Sequence, residues 1–288
     1  MNPLKPSKTP RVFIFCLIPL LFFVTVSCAT RAAEAYAYYN QGLADSKHGE
    51  RGKAIANYGK AIELKSDLAE AYYNRALAYS ANGELGRAIA DCNKAIELKP
   101  DLAEAYYNRG LAYSRSGDRN LAIADYNKAI EIKPDLAGAY SDRGLAVNAN
   151  GDRDLAITDY NKAIELQPDL AEAYYSRGIA YTSKGDTDLA IADYNKAIEL
   201  QPDIAEIYFN RGFAYSIKHA WVQAIADYSK AIEIKPNFAS AYFNRGCAYS
   251  AKGDRNLAIA DLRKSIDLGV SPIENEDACR ELRRLGVK

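Results

Sequence analysis

An all-α fold made of repeated helix hairpins is predicted, and three observations predict it. From residue 35 to residue 268 the chain repeats itself every 34 residues, in seven copies without a gap. Within the third copy, apolar or small residues return at helical spacing. Tyr106, Gly110 and Tyr113 fall at i, i+4, i+7, and Ala122, Tyr126 and Ala129 share a face in the same way. Turn residues then divide the two segments and close the copy, as Gly117 and Pro134 do here.

The copies run 35–68, 69–102, 103–136, 137–170, 171–204, 205–238 and, truncated, 239–268. Tyr38, Tyr72, Tyr106, Tyr140, Tyr174, Tyr208 and Tyr242 form one column, and a glycine or alanine follows four places later, from Gly42 and Ala76 to Gly246. Alanine fills a further column from Ala54 to Ala258, and a proline closes most copies. This alternation of small and large residues resembles the tetratricopeptide repeat, and the resemblance covers all seven copies. It implies a right-handed superhelical solenoid of helix-turn-helix units, with first helices lining a concave groove where partner proteins bind.

Local signals fix the expected ends of the helices. Gly117 suits the left-handed residue that ends a helix, and Asp118 the N-cap of the next. Asp67 with Glu70, Asp101 with Glu104, and Asp169 with Glu172 read as capping boxes with aspartate in the usual Ser/Thr place. Copy six lacks both turn signals, with His219 and Ala220 in their place and Trp221 following. That hairpin is expected to be locally weaker, with the tryptophan either a surface contact or packed on its neighbour. After the repeats, Ala278, Leu282 and Leu285 give residues 272–286 one apolar face, so this segment is expected to cap the array. Its Arg280, Arg283 and Arg284 read as a solvated face or as a patch for an anionic partner.

The first 28 residues are foreign to the repeats. Lys5, Lys8 and Arg11 precede an apolar run from Val12 to Val26, the layout of a secretory signal. The run is shorter than the ~20 apolar residues of a spanning helix. Val24-Thr25-Val26-Ser27-Cys28 is similar to the bacterial lipobox, with Thr25 where leucine is usual, and this implies lipidation of Cys28 and a membrane attachment. Plain cleavage after Ala29 or Ala33 and an uncleaved anchor are the other two readings, and 29–34 reads as a short linker.

Composition narrows the function. Lys plus Arg and Asp plus Glu number 37 each, so there is no basic excess and no nucleic-acid partner is expected. The two histidines lie at turns, no nucleophile elbow or phosphate-cradling loop is present, and no cysteine spacing suits a metal. Cys92 replaces a tyrosine and reads as core, whereas Cys247 and Cys279 carry no pairing signal. No catalytic residue, metal or cofactor is therefore expected.

The resemblance directs attention to the groove columns. The fifth holds Tyr39, Tyr73, Tyr107, Ser141, Tyr175, Phe209 and Phe243, and its rings serve either recognition or repeat core. The sixth holds Asn40, Asn74, Asn108, Asp142, Ser176, Asn210 and Asn244. These amides are expected either to pair with an extended peptide backbone or to bond locally between helices. Family members that clamp a chaperone's terminal carboxylate use lysine, asparagine and arginine at columns that here hold aromatics, glutamates and apolar residues such as Leu43, so that clamp is not expected. A recurring arginine, Arg75 to Arg245, and a recurring aspartate, Asp91 to Asp261, read as structural pairs or as an arginine ladder for acidic ligands. The expected function is a non-enzymatic adaptor of a bacterial cell envelope that binds proteins or extended peptides. A self-assembling array and carbohydrate binding through the aromatics are the alternatives.

Overall fold

The computed structural model describes the backbone of residues 17–287 and side chains from residue 30 onward. The leader through residue 16 and the side chain of Cys28, the expected lipidation site, lie outside the described residues. All described elements are α-helices, and the chain divides into two compact units at the turn of the third copy, Met1–Gly117 and Asp118–Lys288.

The first unit holds α1 (Leu17–Lys47), α2 (Arg51–Leu64), α3 (Ala69–Ala81), α4 (Leu85–Leu98) and α5 (Ala103–Ser116). Helix α1 runs without a break through 29–34, the stretch expected as a linker. The second unit holds α6 (Arg119–Ile132), α7 (Ala137–Ala149), α8 (Arg153–Leu166), α9 (Ala171–Lys184), α10 (Thr187–Leu200), α11 (Ala205–Ile217), α12 (Trp221–Ile234), α13 (Ala239–Lys252), α14 (Arg255–Asp267) and α15 (Pro272–Arg284). Within each unit, successive helices pack as antiparallel neighbours. Odd-numbered helices also touch the next odd one, as α7, α9, α11 and α13 do, so they share a face.

Each hairpin closes on one size-matched contact. The glycine of the eighth column lies under the ring of the second helix's tyrosine, so that a Cβ on Gly178 would stand 2.6 Å from Cε1 of Tyr194. Gly42 meets Tyr58, Gly144 meets Tyr160 and Gly212 meets Tyr228 in the same way. In the second copy both members change together, to Ala76 and Cys92, and both are buried. The tyrosines are almost wholly enclosed, and burial raises the Tyr194 hydroxyl pKa to about 12. Three of the hydroxyls find partners on the first helix, Ser46 at 3.1 Å from Tyr58, Thr182 at 3.0 Å from Tyr194 and Ser216 at 3.0 Å from Tyr228. Small alanines elsewhere, such as Ala61, Ala71, Ala197 and Ala214, let neighbouring helices approach closely.

The arginine and aspartate columns are structural. Arg143 donates from Nε and Nη2 to the two carboxylate oxygens of Asp159, at 2.9 and 2.6 Å, and Arg75, Arg177, Arg211 and Arg245 hold Asp91, Asp193, Asp227 and Asp261 alike. The same guanidinium reaches back to the preceding copy, where Nη1 of Arg143 lies 2.6 Å from Oδ1 of Asn127. It also stacks near the fourth-column tyrosine, 5.6 Å from the Tyr140 ring centroid. One side chain thus ties two hairpins together, which leaves little of it to read an acidic ligand.

The helix ends correct the expected capping. First helices start one residue later than the aspartates imply, with Leu68, Leu102 and Leu170 at the N-cap and no side-chain cap bond. Asp67, Asp101 and Asp169 therefore sit outside the helix, beyond the position from which a capping box closes. Asp67 instead pairs with Lys65 at 2.6 Å, and Glu70 lies 3.6 Å from Lys99. Asp118 is an N-cap without a side-chain bond, whereas Asp152 does accept from the Leu155 amide at 3.1 Å.

Copy six keeps its turn despite its residues. His219 adopts φ 57, the left-handed conformation its glycine counterparts take, and the Ala220 amide bonds the Tyr215 carbonyl at 2.9 Å, as the Asp254 amide bonds Tyr249. Trp221 is half-buried against the cluster of Ala224, Tyr228 and Ala248, with its ring 5.3 Å from that of His219. The indole packs beside a turn that keeps its usual backbone, so the tryptophan is not a free surface contact.

Helix α15 begins with a capping box, in which Ser271 Oγ accepts from the Glu274 amide and Glu274 accepts from the Ser271 amide. Its Ala278, Leu282 and Leu285 pack with Leu262 on the last repeat. Arg280 pairs with Asp277 at 2.7 Å, and Arg284 pairs with Glu281.

Candidate partner-binding face

Within each unit the odd-numbered helices present the fifth, sixth and ninth columns on one side, because residues three and four apart share a helix face. The structure gives the expected residues unequal roles. The fifth-column rings are half-buried and pack against the second helix of their own hairpin: Tyr39 on Tyr58 at 6.0 Å between centroids, Tyr175 on Tyr194 at 6.2 Å, and Phe209 on Tyr228 at 5.8 Å. Tyr73 and Tyr107 are likewise half-buried, and Ser141, the exception in the column, is buried. These rings form repeat core as much as surface.

The asparagines are committed on one side. Nδ2 of Asn74 donates to the Glu70 carbonyl at 2.8 Å and to the Tyr39 hydroxyl of the preceding copy at 3.1 Å. Asn108 binds Glu104 and Tyr73 at 2.7 and 3.2 Å, and Asn210 binds Glu206 and Tyr175, both at 2.9 Å. Both amide hydrogens are spent, so what each side chain still offers is its carbonyl oxygen. Asn244 keeps the bond to its own helix, at 2.9 Å to the Ser240 carbonyl, but follows Phe209, which has no hydroxyl. Asn40 follows no earlier copy and is exposed. The tyrosine and asparagine columns are thus one joint, written 35 residues apart, and that offset is the signal a column-by-column reading misses.

Phe243 departs from expectation. With Cys247 it packs beside Leu262, Ala278 and Leu282, so the C-terminal helix takes up part of the surface this copy would offer. Cys247 and Cys279 are free thiols, and burial pushes the Cys247 thiol up to about 12.

What stands open is part of the ninth column, for Leu77, Leu111, Ile179 and Cys247 are half-buried and the other three are not. Leu43 is 38% exposed, Leu145 49% and Phe213 42%, and Ile217, one turn beyond Phe213, is 46% exposed. A small cleft of about 200 Å³ in the first unit is lined by Leu43, Leu77 and Asn74 together. An apolar row beside amide oxygens can hold aliphatic side chains and accept backbone N–H groups. Among the described residues no cluster of His, Cys, Asp and Glu could hold a metal, and no helix is long and apolar enough to cross a membrane.

Known proteins carry the same architecture. YrrB, described as a TPR protein with an unusual peptide-binding site, is 29% identical over 64% of this chain and 95% of its own, with a TM-score of 0.55. MamA is 31% identical over 56% of this chain and 94% of its own, with a TM-score of 0.52. The pilF protein of Pseudomonas aeruginosa, at 17% identity and a TM-score of 0.67 over 74% of this chain and 97% of its own, shares the fold alone. No curated protein sequence matches the chain. The profile described as TPR repeat matches residues 42–83, 146–182, 179–216 and 220–253, and those described as tetratricopeptide repeat match 69–102, 103–136 and 239–268. Tetratricopeptide repeats are a protein-interaction fold and generally non-catalytic, and it is to this family that the chain belongs.

Proposed function

We propose that the chain is a non-enzymatic adaptor of a bacterial cell envelope, tethered through lipid on Cys28, that holds extended segments of partner proteins on the face of its odd-numbered helices. The observation that carries this reading is the exposure of three apolar residues of the ninth column. A single exposed leucine means little, but Leu145 and Phe213 of the second unit stand two whole repeats apart on odd-numbered helices, and Leu43 holds the same column in the first unit. Carbohydrate binding is disfavoured because the fifth-column rings are engaged in packing, and end-to-end assembly because α15 covers the last hairpin.

The test is affinity capture from the native envelope on the full chain, beside a Leu145→Lys, Phe213→Lys variant. Neither side chain supports the hairpin core, so the helical circular-dichroism signal should persist while the captured polypeptides disappear. Equal capture by both proteins would sink the proposal. The anchor is tested separately, since Cys28→Ser should move the protein from the membrane pellet to the soluble fraction. Sedimentation unchanged by that substitution would remove lipidation from the reading.

A further inference from the structure

Between the starts of α9 and α11 lies a cleft of about 560 Å³. Leu170, Ile204 and Ile207 give it an apolar lining, Tyr175 a wall, and Asp169, Glu172 and Glu206 its carboxylates; neither lysine nor arginine lines it. Tyr175 belongs to the fifth column, so the cleft opens beside the proposed partner-binding face.

The repeat itself shows what is missing. A glutamate in the second column normally has a lysine from the end of its own copy: Glu70 has Lys99 at 3.6 Å, and Glu206 has Lys235 at 2.8 Å, which holds the Glu206 carboxyl below its usual range. Lys65, Lys99, Lys133 and Lys235 occupy that column, but copies four and five carry Gln167 and Gln201. Gln201 therefore stands where the lysine for Glu172 would be. Glu172 is exposed and has no ion pair among the described residues. Its place in the first turn of α9 is favoured by the helix dipole, yet Glu70 and Glu206 enjoy the same position and have lysines as well. The dipole accounts for the glutamate and not for the loss of its partner. What remains is negative charge over an apolar floor, at a cleft with room for a long side chain.

We propose that this cleft seats a lysine or arginine side chain of the partner polypeptide. The methylene stem lies against Leu170, Ile204 and Ile207, and the cationic head meets Glu172 and Asp169, so the partner supplies the charge that Lys99 and Lys235 supply elsewhere. This rests on the adaptor reading above and specifies its ligand.

The experiment is selection of phage-displayed random linear peptides on the full chain and on Gln201→Lys. That variant restores the repeat's own lysine, which the fold already accommodates at Lys99 and Lys235, and circular dichroism checks its helices. Peptides selected on the native chain are expected to share a lysine or arginine beside apolar residues. One of them should bind Gln201→Lys about tenfold more weakly, a gap that narrows as salt screens the charges. Norleucine in place of its basic residue should erase the difference between the two proteins. Peptides selected without a basic preference, or bound equally by Gln201→Lys, would overturn this assignment while leaving the adaptor reading intact. Failure to select any peptide would count against both.

Discussion

Gly178→Ala is expected to destabilise the chain by about 2 kcal/mol, although alanine is the better helix former by about 1 kcal/mol. The added Cβ would lie 2.6 and 2.9 Å from ring carbons of Tyr194, and that ring is enclosed on all sides, so it cannot swing away. The second copy shows how the conflict is resolved within the same fold, for it has Ala76 where the others have glycine and Cys92 where all but the seventh, with Leu262, have the ring. Tyr194→Cys alone should cost about 3 kcal/mol by leaving a cavity. Combined with Gly178→Ala, it should cost at least about 1 kcal/mol less than the two losses added, since contacting residues couple on this scale. Urea unfolding followed by circular dichroism and by the fluorescence of Trp221, the single tryptophan, measures all three variants. Strict additivity would refute the size-matching account.

Asp159→Ala carries the second large effect, about 3 kcal/mol in the same assay. Asp159 is 2% exposed and receives two hydrogen bonds from Arg143, so truncation leaves a half-buried guanidinium without its counter-ion. The lost contact is shared between copies, because Arg143 also holds Asn127 of the preceding hairpin. Coupling between neighbours should therefore fall along with stability, and the unfolding transition should broaden. Arg143→Leu combined with Asp159→Leu should lose less than Asp159→Ala, because no unpaired charge is left behind. A double variant as unstable as the single one would show that the pair matters for more than charge compensation.

Much of this was legible in the sequence because periodicity and burial are linked. The 34-residue columns place each hairpin, and they mark Ala76 and Cys92 as the second copy's departures from glycine and tyrosine. What escaped depended on where a helix begins to within one residue. The capping boxes at Asp67, Asp101 and Asp169 failed because the leucine after each aspartate is the cap. The asparagine column looked like a free row of donors and acceptors because its partner, the tyrosine of the preceding copy, belongs to a different column. Phe243 looked open because the sequence does not say where α15 lands. The ninth column is the less obvious candidate in the sequence, since aromatic rings suggest recognition more strongly than Leu145 does. It is the rings that the fold uses for its own packing.

The inward commitment of the asparagines has a consequence for what the face can grip. Oxygen atoms at Asn74 and Asn108 in the first unit, and separately at Asn210 in the second, can accept but not donate, so only backbone groups carrying a hydrogen can engage them. Proline has none. A bound strand would be held along the edge that turns its amides toward the protein, and a proline at one of those points would forfeit the contact. A face that looks indifferent to side chains thereby rejects proline at a few points and fixes which edge of the strand lies against it.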